Sequence, residues 1–92
     1  MILSDLSSTM TTGGTSQKPG PKRKGRKYLY IENPSDETES LFVCFSKAAT
    51  TGSPSMEIEP GDHRAWNGDA PENEVHVVAT TTGHAFTMWE GY

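Results

Sequence analysis

At 92 residues the chain has room for one small domain, and a domain of this size buries too little of its unfolded surface to be strongly stable alone, which favours oligomerisation or a partner surface. Its apolar content of 33% lies below the usual value of about 45–50%, a figure that also counts glycine, and its many Gly, Pro, Ser and Thr residues suit short strands and turns better than packed helices. The single cysteine excludes an intrachain disulfide, and no stretch approaches the roughly 18 consecutive apolar residues of a membrane-spanning helix.

The opening MILSDLSST has an early aspartate, no basic flank and too short an apolar run for a secretory signal, so synthesis in a reducing cytoplasm is expected. The formal charge of −4 hides a strong asymmetry. Lys18, Lys22, Arg23, Lys24, Arg26 and Lys27 are six of the eight basic residues, whereas eleven of the twelve acids follow Tyr28. The segment before Tyr28 thus carries six cations against Asp5, about +5, and the remainder two cations against eleven acids, about −9.

Residues 1 to 27 show no sustained helical or strand period, and Pro19 and Pro21 disfavour a helix or a central strand. This segment reads as an extended arm outside the domain, unstructured unless bound, with Ile2, Leu3, Leu6 and Met10 as its only apolar anchors. Stretched out, it would reach on the order of 90 Å. From residue 28 to 92 the pattern is that of a β-domain. KYLYIEN alternates Tyr28 and Tyr30 with Leu29 and Ile31, and Asn33-Pro34-Ser35-Asp36 reads as a type I turn. LFVCFS is the densest apolar run and the best candidate for a central strand. After a Gly/Ser/Thr loop, Met56 and Ile58 alternate with Glu57 and Glu59, and Pro60-Gly61 fits the centre of a type II turn. His63 to Trp66 returns from that turn, and EVHVVAT and AFTMWE form the last pair. Six short strands result, at 27–33, 41–46, 56–59, 63–66, 74–80 and 85–90, which predicts an all-β fold: a small antiparallel sandwich or barrel with an extended N-terminal arm.

Chemistry-bearing patterns are sparse. His63, His76 and His84 lie 12 and 7 residues apart without a metal-ligand spacing, so no metal or other cofactor is expected. Cys44 sits in the most apolar strand, where burial raises a thiol's pKa and a nucleophile is out of place. The carboxylates cluster in turns, and no phosphate-cradling glycine loop occurs; the chain reads as a non-enzyme. The aromatic residues and the basic run suggest a base-stacking platform, but an acidic body repels a phosphate backbone, which disfavours nucleic acid as a partner. The basic run has three readings: a nucleic-acid or nuclear tag, a merely solvated run, or an arm lying on an acidic protein surface.

The succession YLYIENPSD, LFVCFSKAATTGS, SMEIEPGD, W-N-G and VHVVATTTGHAFTMWEG resembles small virion proteins of tailed bacteriophages, over residues 26 to 92. The resemblance implies a structural role: a capsid decoration or cement protein at the capsid surface, a homo-oligomer, with a trimer favoured, bound to the major capsid protein or another virion protein. On that reading Lys18, Lys22, Arg23, Lys24, Arg26 and Lys27 contact the partner, and Tyr28, Tyr30, Phe42 and Trp89 serve core or subunit contacts. A head-fibre, neck or tail component is the first alternative, and a nucleic-acid-binding protein using the arm alone is the second.

Overall fold

The computed structural model describes all 92 residues. Nine strands follow one another: β1 (Leu3–Asp5), β2 (Ser8–Thr9), β3 (Gln17–Gly20), β4 (Tyr28–Glu32), β5 (Leu41–Phe45), β6 (Met56–Ile58), β7 (His63–Asn67), β8 (Val75–Val78) and β9 (Ala85–Gly91). They form two antiparallel sheets, one in the order β1-β9-β4-β7 with β2 also on β9, the other in the order β3-β8-β5-β6. The all-β antiparallel fold expected from the sequence is therefore present, and of the two architectures left open there, sandwich or barrel, the two sheets give the sandwich. Its six anticipated strands are β4 to β9, each within two residues at either end.

Alternation decides which face of each strand is buried. In β4, Leu29 and Ile31 are fully buried while Tyr28 and Tyr30 stay half-buried on the other side. Phe86 and Met88 of β9, Leu41 and Val43 of β5, Ile58 of β6, and Val75 and Val77 of β8 complete the shared core. Each such side chain contributes about 1.5–3 kcal/mol by leaving water.

Turn chemistry closes the strands. Gly61 has φ +82°, and Asp62 N–H donates to Glu59 O at 3.0 Å, which gives the type II turn anticipated at Pro60-Gly61. The turn after β4 is displaced by one residue from its expected place: Glu37 N–H donates to Pro34 O. The Asn33 carbonyl instead accepts the Gly61 N–H at 2.7 Å, which ties this turn to the one before β7.

The first 27 residues correct the expectation of a free arm. β1 and β2 pair with β9, and β3 pairs with β8, so three strands of the sandwich lie before residue 28. Met10, 1% exposed, belongs to the core. Each of these strands lies at an edge and is short, so its sequence needs neither sustained alternation nor an N–H at every position; Pro19 sits in β3 for that reason. The segment is held mostly by backbone bonds, such as Leu6 N–H to Met88 O and Met10 N–H to His84 O, both 2.8 Å. Arg26 provides a second fastening. Fully buried, it donates from Nε to Glu90 Oε1 at 3.0 Å and from its terminal nitrogens to the carbonyls of Pro21, Pro71 and Asn73.

Candidate contact face

The outward surface of the β1-β9-β4-β7 sheet carries three of the four exposed large apolar side chains, Met1, Leu3 and Trp89. Strand register sets its rows. Leu3, Gly91, Tyr28 and Asn67 lie side by side across four strands, and Asp5, Trp89, Tyr30 and Ala65 form the next row. Thr87, Glu32 and His63 follow. Glycine at 91 leaves a gap in the first row, and the Met1 side chain lies over it: a Cβ built on Gly91 would stand 2.5 Å from the Met1 sulfur and 3.0 Å from Tyr28 Cβ. Beside it opens a concavity of about 460 Å³ lined by Met1, Leu3, Tyr28, Asn67 and Trp89. Met1, Leu3 and Trp89 remain 76%, 59% and 38% exposed. Contiguous apolar surface of this kind on a small domain marks an interaction site more often than scattered exposed residues do.

The face is firm. His63 stacks on Tyr30 with ring centroids 5.4 Å apart. The Tyr30 hydroxyl donates to Glu32 Oε1, and that bond, together with desolvation, pushes the phenol pKa up to about 12. At the free edge beside β7, His63 N–H donates to Asp62 Oδ1 at 2.8 Å while Arg64 Nη1 donates to the His63 carbonyl at 2.9 Å. Arg64 Nη2 also reaches the Glu57 carbonyl on β6 at 3.1 Å, so one guanidinium ties the edges of both sheets and occupies edge groups that another strand would use.

The structure separates the expected site residues into distinct roles. Tyr28, Tyr30 and Trp89 share this face, whereas Phe42 lies on the second sheet, half-buried against the core. Of the basic run, Arg26 is wholly internal. Arg23 donates to Glu90 Oε2 at 2.9 Å and lies 4.1 Å over the Tyr92 ring, and the bond to Glu90 holds its pKa above the ordinary value. Lys18 meets Glu74 at 3.4 Å. Lys22, Lys24 and Lys27 are exposed. Sequence reasoning named Leu3 only as an apolar anchor of the arm and missed Asn67, both of which reach the face through long-range pairing, and it missed Glu90, whose burial is hidden behind two cations more than 60 residues away.

The histidines do not converge: His63 is on the contact face, His76 bonds Glu74 Oε1 at 3.1 Å, and His84 is buried. No group of three or more His, Cys, Asp or Glu side chains is arranged to hold a metal ion. Both amide hydrogens of Asn33 go to carbonyls, of Glu39 and Ile58, so its Oδ1 accepts from His84 Nε2 at 2.8 Å and fixes that tautomer. His84 Nδ1 lies 3.6 and 4.0 Å from the Glu37 and Glu39 carboxylates and makes no hydrogen bond. Cys44 is a buried free thiol, 6% exposed.

No family model matches the chain, and no curated protein or solved structure is significantly similar to it. No helix of the fold is long and apolar enough to cross a membrane.

Proposed function

We propose that this chain is a structural protein of a tailed-phage particle, a capsid decoration protein that works by contact, with no bond made or broken. The observation that carries the proposal is the open apolar face around Trp89, Leu3 and Tyr28, which the domain's own core does not use. Such surface is costly to leave in water and gains its value when another protein covers it. A subunit that bridges shell proteins stabilises the assembled lattice selectively, because its binding energy exists only in that state. Attachment through a free arm gives way to attachment through a rigid domain, with Lys22, Lys24 and Lys27 left to meet acidic neighbours.

Quantitative mass spectrometry of purified particles tests the reading. A copy number matching the whole shell, with cross-links to the major capsid protein, supports decoration. A copy number matching one vertex or the neck moves the chain to the head-fibre, neck or tail role. Absence from particles, combined with salt-sensitive binding to random DNA, would replace both with the nucleic-acid reading.

A further inference from the structure

The contact face has opposite charge at its two ends. Beyond Tyr28 lie Lys27 and the turn bearing Lys22 and Lys24, where Arg26 N–H closes on Arg23 O; these cations outnumber Asp69 and Glu72 there. At the Glu32 end the turns meet, with Gly61 N–H on Asn33 O, and Asp36, Glu59 and Asp62 join Glu32 against the single cation Arg64. Between the poles stand Trp89 and Tyr30, neighbours in register, with Asp5 beside Trp89 on the outer strand β1 and the apolar concavity on the Lys27 side of them.

From this arrangement we propose that the partner seated on the face is a second copy of the same chain, related by a two-fold axis that passes near Trp89. A two-fold axis lying in the plane of the interface and running across the strands sets the two faces against each other and turns one copy end for end, so the cationic end of each lies on the anionic end of the other, at both ends at once. The same rotation brings the two Trp89 rings together at the centre and sets each beside the other copy's concavity. An aromatic anchor in a desolvated centre with charges at the rim is the usual anatomy of a protein interface. The free edge beside β7 is partly closed by Asp62 and Arg64, which favours pairing through the face over pairing edge to edge. This inference deepens the contact reading by naming its first partner, and it stands or falls in free solution, independently of any particle.

Sedimentation velocity on the full chain from about 1 to 500 μM covers the range in which interfaces of modest size associate. The expected result is a monomer–dimer equilibrium that Trp89→Ser weakens about thirtyfold or more, the loss typical of a central anchor, while circular dichroism and urea unfolding stay unchanged because the side chain is not in the core. A charge-swapped pair gives the sharper test. Lys24→Glu/Lys27→Glu and Asp36→Lys/Glu59→Lys are each expected to be monomeric alone and to form a dimer when mixed, since only the mixture restores opposite charges at both ends. A chain monomeric throughout the range, a dimer indifferent to Trp89→Ser, or charge-swapped variants that do not rescue each other would overturn the proposal. Should the dimer fail while particles still contain the protein, the contact reading survives with a different partner on the face.

Discussion

Replacing Arg26 by methionine should come close to unfolding the domain. The substitution keeps most of the apolar stem but removes the guanidinium that holds Glu90 at 3.0 Å, with both side chains fully buried. It also strips hydrogen bonds from the carbonyls of Pro21, Pro71 and Asn73. Breaking a buried pair on one side costs about 3–5 kcal/mol, because the remaining charge stays desolvated. Arg23 retains its bond to Glu90 Oε2 at 2.9 Å and shields part of that charge, which argues for the lower half of the range. For 92 residues the whole folding free energy is about 5–14 kcal/mol, so the variant should lose a large fraction of it and melt roughly 15–30 °C lower. Urea unfolding followed by tryptophan fluorescence measures the loss, with Trp66 and Trp89 as reporters on two strands of the sheet. The double variant Arg26→Met/Glu90→Met should be less damaging than Arg26→Met alone, since no carboxylate is then stranded. A cost under about 1 kcal/mol for Arg26→Met, the value of an exposed pair, would refute the claim that this cluster fastens the first 27 residues to β9.

Other consequences can be measured with the same protein. Alkaline titration of tyrosinate absorbance should show one of the three tyrosines ionising near pH 12, and Tyr30→Phe should remove that step. Because the folded pKa of Tyr30 lies above its ordinary value of 10.0, the stability it contributes is complete below pH 10 and lost as pH rises through about 12. On the acid side, Glu39, held low by Thr80, Asp62 by the His63 N–H, and Glu74 by His76 all favour the folded state above their ordinary values of 3.8 to 4.5. Melting temperature should therefore fall as pH drops below that range, and a profile flat from pH 6 to pH 2 would contradict these bonds. Gly13→Ala would drive a Cβ into the Thr80 carbonyl oxygen, a backbone clash expected to cost about 1–3 kcal/mol, whereas Gly52→Ala, with nothing within 4 Å, should change stability by less than about 0.5 kcal/mol. Equal effects of the two would mean that the loop before β3 does not pack against the β8–β9 turn.

The parts of the fold that announced themselves in the sequence are those where side-chain pattern and burial coincide. Leu29 and Ile31, Leu41 and Val43, and Phe86 and Met88 alternate because one face of each strand enters the core, and Gly61 marks the positive φ its turn requires. β1, β2 and β3 were silent because edge strands draw their stability from a neighbour's backbone, and a run such as QKPG has no periodicity to betray it. The charge run misled for a related reason. Arg23 and Arg26 look identical in sequence to Lys22 and Lys24, yet the planar guanidinium suits a buried carboxylate and rows of carbonyls, and the ammonium groups stay in water. The face itself was half legible: Tyr28, Tyr30 and Trp89 stood out as aromatic residues, while Leu3 and Asn67 acquire meaning only after β1 and β7 take their places in the sheet.

Site-specific photo-cross-linking in assembled particles tests the account at its centre. A benzophenone side chain at position 89 should capture protein, either a second copy or a shell subunit, in high yield, and one at Glu57, exposed on the other sheet, should capture less. Particles that incorporate the chain normally but give no protein adduct from position 89 would show that the apolar face is not where this molecule makes its contacts.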